Sequence, residues 1–163
     1  MSNRKVSPAN GSTTALRAAA YAGAAAALVS IVSALVIRST PTLESVAAIV
    51  HLALTVLFYT TAGALAARFG ADGWRAGMFA GLVDALVGHT VAYLIATPPD
   101  PARTTLPAAV SQTAENLARM QAWGAVIGAV STVVIAIGAG ALGAFLMRRS
   151  RGDSGRRTPD AAL

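Results

Sequence analysis

Four long apolar runs are the feature of this sequence that most limits what the chain can fold into. They cover residues about 16–37, 46–67, 74–96 and 122–147. As a helix, each run is long enough to cross the roughly 30 Å hydrocarbon core of a bilayer. A backbone in lipid must satisfy its own polar groups, which favours helices. The sequence therefore predicts an all-α fold, an integral membrane bundle of four transmembrane helices.

The charged residues support this interpretation by their number and their position. They make up 12% of the chain, whereas a soluble domain has about a quarter of its residues charged. A net charge of +6 would suit a nucleic-acid partner, but the basic residues flank apolar runs and cover no soluble face. We therefore expect the lipid bilayer as a partner and no nucleic acid. The chain has no cysteine, which excludes disulfides and thiolate metal sites.

The distribution of basic residues predicts the orientation of the spans. Ten of the thirteen Lys and Arg residues fall on one side of the predicted membrane: Arg4, Lys5, Arg17, Arg68, Arg75, Arg148, Arg149, Arg151, Arg156 and Arg157. Basic residues are retained in the cytoplasm, so both termini are expected there. A cleaved signal peptide is the alternative for the first run, but its apolar stretch exceeds the roughly 7–15 residues of such peptides. Arginine outnumbers lysine twelve to one, a bias typical of GC-rich bacterial genomes, and we expect the bacterial inner membrane as the location.

Three parts are predicted along the chain. Residues 1–15 form an N-terminal tail, 16–147 the four-helix domain, and 148–163 a basic C-terminal tail, with both tails expected to be disordered. After Pro107 in the second outer loop, apolar residues recur at helical spacing. This pattern predicts a short amphipathic helix at the outer surface or an outward extension of the fourth span.

Small residues recur at helical spacing in three of the spans, which indicates close helix packing. The predicted packing residues are Gly77, Gly81 and Gly88 in the third span and Gly124, Gly128 and Ser131 in the fourth. The first span offers Gly23, Ala27, Ser30 and Ala34 in the same register. The glycine-rich segment 136–144 is also interpreted as helix packing, because no strand precedes it as a phosphate-binding loop would require. The seams predict a tight bundle or a surface for self-association.

Asp84 is an acidic residue within a predicted membrane span, where a charged carboxylate is unfavourable. It lies near the middle of the third span, and no Lys or Arg occurs at comparable depth in any span. Burial without a cation favours a neutral carboxyl that hydrogen-bonds to a hydroxyl group. The available partners are Ser30, Ser33, Thr55, Tyr59, Ser131 and Thr132. Either the carboxyl joins helices, or it takes part in proton or ion coupling, as intramembrane acids often do.

Two histidines extend this polar set. Antiparallel pairing of the second and third spans about the glycine-rich turn at 68–73 places His51 level with His89, and Asp84 close to Thr55 and Tyr59. These five residues are the candidate intramembrane polar site. Two level histidines are also the minimum for bis-imidazole haem ligation. Asp84 and His89, however, are about 140° apart around their helix, so both cannot face the second span squarely.

These features favour a non-enzymatic membrane protein, a structural or interaction subunit that packs with itself or with another membrane protein. No nucleophile with its base, phosphate loop or zinc motif occurs in the sequence. A small proton-coupled transporter that uses Asp84 with His89 or His51 is one alternative. A haem-binding redox helper is the other. We expect no cofactor and no metal in the leading interpretation.

Overall fold

The computed structural model describes residues 8–96 and 114–155, and these residues form helices and short connections without a strand. The elements are α1 (Pro8–Ser39), a 3₁₀ turn (Pro41–Leu43), α2 (Glu44–Arg68), α3 (Gly73–Val83), a π-helical segment (Asp84–His89), α4 (Thr90–Ala96) and α5 (Ala114–Gly155). The three elements from α3 to α4 follow one another without a break. We call them together the third span (Gly73–Ala96).

Four helices are long and apolar enough to cross a membrane, as the four apolar runs predict. Their outward surfaces carry large apolar side chains, among them Leu28, Ile49, Leu86 and Ile127, each more than 60% exposed. In water such a surface would drive aggregation, whereas lipid tails solvate it. The exterior and the helix lengths both fit a helical membrane protein.

The helices alternate in direction around a central pair formed by α2 and the third span. Both α1 and α5 pack against this pair, from opposite sides. We call the end of the bundle with the α2–α3 turn the turn end, and the opposite end the far end. At the turn end the Arg151 guanidinium donates to the Arg68 carbonyl at 3.3 Å. At the far end Arg38 donates to the Ile95 carbonyl, which ties α1 to α4.

The α2–α3 turn owes its sharpness to one glycine. Gly70 has φ +78°, in the left-handed region that favours glycine. The Ala71 amide donates to the Ala66 carbonyl at 2.9 Å and the Gly70 amide to Ala67 at 3.2 Å, the two bonds of a Schellman motif. This termination lets the third span fold back directly against α2.

The core of the described chain contains almost no bulky side chains. Its buried apolar residues are all alanine, with the single exception of Tyr59. Near the turn end, glycines bring the backbones of α2, α3 and α5 into contact. We call this set the glycine junction: Gly63, Gly73, Gly77, Gly140 and Gly143. A Cβ atom on Gly63 would overlap the backbone of Gly140, so the helices approach closely only because side chains are absent.

The helices extend beyond the predicted spans at both ends of the chain. Helix α1 begins at Pro8, and α5 continues to Gly155, so residues 8–15 and 148–155 are helical where disordered tails were predicted. Proline suits the first turn of a helix, and the segment after Met147 contains no residue that stops a helix before Gly152. Residues from Ala114 onward belong to α5, whereas 107–113 of the predicted amphipathic helix lie outside the described residues.

Candidate functional site

Asp84 lies where the third span changes from α-helix to π-helix. Its side chain is 0% exposed, and it and Tyr59 are the largest fully buried side chains among the described residues. Every arginine whose side chain the structure describes is exposed, so no guanidinium in this part of the chain neutralises the carboxyl. Hydrogen bonds from hydroxyl groups must therefore stabilise it.

Two hydroxyl groups from two other helices meet this carboxyl. The Tyr59 hydroxyl on α2 donates to Asp84 Oδ2 at 2.5 Å, and the Ser30 hydroxyl on α1 donates to Oδ1 at 2.8 Å. Both residues belong to the set of hydroxyls that the sequence offers at this depth. We call Ser30, Tyr59 and Asp84 the carboxyl cluster. It connects three spans through side chains that are all buried.

The π-helical segment and Gly88 shape the space around the cluster. Gly88 lies one turn after Asp84, and a Cβ atom there would meet Asp84 Oδ1 and would lie 2.8 Å from the Ala27 Cα on α1. The absent side chain thus lets α1 approach and leaves room for one carboxyl oxygen. Single π-helical turns occur frequently at functional sites, because they displace side chains from regular helical register. The sequence pattern gave no sign of this turn.

His51 and Thr55 lie on α2 near the cluster. The His51 ring is half-buried on α2, one turn before Thr55, and lies within electrostatic range of both Asp84 and His89. The Thr55 hydroxyl donates within its own helix, to the carbonyls of His51 at 2.9 Å and Leu52 at 3.1 Å. Thr55 is therefore buried, and its hydroxyl bonds within α2 and not to the carboxyl.

His89 turns toward α5, on a different side of the third span from Asp84. Its Nε2 lies 2.7 Å from the Thr132 hydroxyl, and its ring faces Gly128. The Thr132 hydroxyl thus occupies Nε2 of His89 and holds this ring against α5. Among the described residues, no group of three acidic, histidine or cysteine side chains is arranged to hold a metal ion.

The six predicted packing residues differ in burial. Gly77, Gly81 and Gly88 are buried at helix contacts. On α5, Gly128 is partly buried and faces the His89 ring, whereas Gly124 and Ser131 are exposed, and a Cβ atom on Gly124 would meet nothing within 4 Å. The sequence left open whether these residues pack within the chain or form a surface for self-association, and Gly124 and Ser131 are not buried within the chain. Helix α5 packs instead through residues nearer the turn end: Ala136, Ala139, Gly140, Gly143 and Ala144.

The structure also adds packing residues that the sequence reasoning missed. Gly63 on α2 meets Gly140 on α5, and Gly143 meets the backbone of Thr60. The glycine-rich segment 136–144 marked the α5 side of this contact correctly as helix packing. The signal for the α2 side is the small-residue run from Ala62 to Ala67.

Comparison with known proteins adds no relative: no family model matches the chain, and no curated protein or solved structure among those searched matches it either.

Proposed function

We propose that this chain is a non-enzymatic integral membrane protein, a structural or interaction subunit of the bacterial inner membrane with both termini in the cytoplasm. The orientation rests on the arginines at the turn end, which are exposed and basic: Arg68, Arg75, Arg148, Arg149 and Arg151. Such residues are retained on the cytoplasmic side. The proposal of association with a second membrane segment rests on α5.

The unfilled small-residue face of α5 is the observation that carries this proposal. Gly124 and Ser131 are seven residues apart, hence on one side of the helix, and both are exposed. The small residues predicted to pack in the third span, Gly77, Gly81 and Gly88, already contact other helices of the same chain. In lipid, helices associate where small residues allow their backbones to approach. A second copy or another membrane protein would pack on this face.

The test is the oligomeric state in mild detergent and in vesicles, measured by light scattering and cross-linking. We expect wild type to be oligomeric, and Gly124→Leu to shift it toward monomer because the leucine holds the partner helix away. The control is Val126→Leu, which enlarges an exposed side chain on the opposite side of α5. A strictly monomeric wild type, or equal effects of both variants, would contradict the proposal.

The carboxyl cluster favours a second candidate function, a small proton-coupled transport component. A fully buried carboxyl at the start of a π-helical turn, with His51 in electrostatic range, is the kind of arrangement that intramembrane proton sites use. In this candidate Asp84 binds the coupled proton, and His51 or His89 assists. The haem alternative has less support, because Nε2 of His89 is already hydrogen-bonded to Thr132 on α5.

Proton flux into liposomes tests this second candidate. Wild type would show pH-driven flux that Asp84→Asn abolishes, since the amide cannot exchange a proton. Asp72→Asn is the matched control, because it removes a carboxyl that is exposed at the turn end and paired with Arg75 at 3.3 Å. Undiminished flux in Asp84→Asn, with a thermal melt showing that the variant is folded, removes the candidate.

A further inference from the structure

The Ser30 hydroxyl has one hydrogen and two acceptors within reach. Its Oγ lies 2.8 Å from Asp84 Oδ1 and 3.2 Å from the carbonyl oxygen of Ala26, one turn earlier in α1. A hydroxyl group both donates and accepts, and its hydrogen rotates to suit its surroundings. Ser30 can therefore donate to the carboxyl, or donate to Ala26 and accept from the carboxyl, without a change of position.

These two arrangements match the two protonation states of Asp84. When the carboxyl is ionised, Ser30 donates to Oδ1 and Tyr59 donates to Oδ2. When a proton is bound to Oδ1, the new O–H group donates to Ser30 Oγ, and Ser30 turns its own hydrogen to Ala26. Tyr59 continues to donate to Oδ2 in both states. Neither state leaves a buried polar atom of the cluster without a partner, which would otherwise carry a large cost.

We propose that Asp84 is a reversible proton-binding site inside the bundle, with Ser30 as the hydroxyl switch that satisfies both of its states. Binding forms one O–H bond at Oδ1, takes one proton from the aqueous phase and raises the charge of the site by one. No other bond breaks. The space beside Oδ1 is the one that Gly88 keeps free of a side chain. Oδ1 is therefore the oxygen with both the partner and the room to carry the hydrogen.

The ionisable groups near this site lie on α2 and on the third span. Tyr59 and His51 approach from α2. His89 lies further along the third span and bonds to Thr132 on α5. The described parts of α1 and α5 present no Asp, Glu, Lys, Arg or His at this depth. Tyr59 and His51 are thus the ionisable neighbours of Asp84 on the helices packed against the third span.

This inference is independent of association through α5. It underlies the proton-coupled candidate, but a site can bind a proton without transporting it. A carboxyl that titrates in vesicles that show no flux would support the inference and remove the transport candidate. Flux without titration at Asp84 would overturn both, because the transport candidate places the coupled proton on Asp84.

Infrared difference spectroscopy on the full chain in phosphatidylcholine vesicles provides the test. We expect the C=O stretching band of a protonated carboxylic acid to appear at acid pH and vanish at alkaline pH, and to be missing in Asp84→Asn but retained in Asp72→Asn. Ser30→Ala should change the frequency of this band, because the acid loses its acceptor. Ser33→Ala, one turn along the same helix, should leave it unchanged. A spectrum without a titrating band, or a band that persists in Asp84→Asn, would overturn the proposal.

A second measurement on wild type covers the case in which Asp84→Asn does not fold. A hydrophobic carbodiimide reacts with protonated carboxyl groups in membranes, and peptide mass spectrometry locates the product. Labelling at Asp84 should fall several-fold from acid to alkaline pH. Equal labelling at both pH values, or none at either, would count against a reversible site.

Discussion

At the turn end of the bundle, α2, α3 and α5 meet backbone to backbone, whereas half a span further along, α1, α2 and the third span meet through side chains. The glycine junction gains its stability from close contact, and any added atom has nowhere to go. The carboxyl cluster gains its stability from hydrogen bonds whose donors can rotate. The glycine junction has no side chains that could rotate, whereas the carboxyl cluster has hydroxyl groups whose hydrogens can.

This contrast is sharpest for substitutions that add a single methyl group, so Gly63→Ala should give the largest effect. The new Cβ atom would overlap the backbone of Gly140, and backbone atoms cannot rotate away. We expect a loss of about 3 kcal/mol in the free energy of unfolding, at the upper end of typical overpacking costs. Denaturant titration in mixed micelles measures it.

Gly138→Ala is the control, on the same helix as Gly140, with nothing near its missing Cβ. Alanine is the better helix former there, so this variant should be about 0.5–1 kcal/mol more stable than wild type. Equal effects of the two variants would show that backbone contact does not hold the turn end together.

Tyr59→Phe should have a smaller effect, because it removes one hydroxyl and keeps the buried ring. Asp84 Oδ2 then loses its donor, and we expect a loss of about 1–2 kcal/mol in the same titration. Tyr21→Phe on the exposed face of α1 is the matched control and should be neutral. If Tyr59→Phe is also neutral, the cluster does not contribute hydrogen-bond energy to the fold.

Thr132→Val should give the smallest effect of the three. It removes the hydroxyl that meets His89 Nε2 and preserves the shape of the side chain. Hydrogen bonds between transmembrane helices average about 0.6 kcal/mol, and we expect a loss of that size. Thr61→Val is the control, since the exposed Thr61 hydroxyl bonds only to Leu57 within its own helix. A loss as large as that for Tyr59→Phe would show that the His89–Thr132 hydrogen bond stabilises the fold as much as the Tyr59–Asp84 bond does.

The sequence predicted that Asp84 and Tyr59 lie close together, because the connection between α2 and α3 is short. Only a few residues join α2 to α3, and Gly70 sets their geometry, so counting outward from the turn brought Asp84 level with Leu57 and close to Tyr59, its observed partner. The register of α5 is different, because the connection at 97–113 is long enough to allow many registers. Gly124, Gly128 and Ser131 have the same spacing as Ala136, Gly140 and Gly143, and only the register decides which set is fully buried.

The π-helical turn could not be predicted from the sequence either. A π-helical turn has the same apolar composition as the helix around it, so Asp84–His89 carries no periodic pattern that would distinguish it in the sequence. The switch role of Ser30 was hidden too. Its distance to the Ala26 carbonyl follows from helix geometry, but its distance to Asp84 follows from the packing of α1 against Gly88.

The alanine core has a consequence for how this sequence can change over generations. An alanine codon becomes Gly, Ser, Thr, Pro, Val, Asp or Glu by a single base change, and only glycine is smaller. Nearly every mutation at a buried alanine such as Ala80 or Ala136 therefore enlarges the side chain, in a place where the helices already touch. Soluble domains lose stability mostly by losing core volume. This bundle would lose it by gaining volume, so its descendants should keep small residues at these positions while the lipid-facing surface drifts freely.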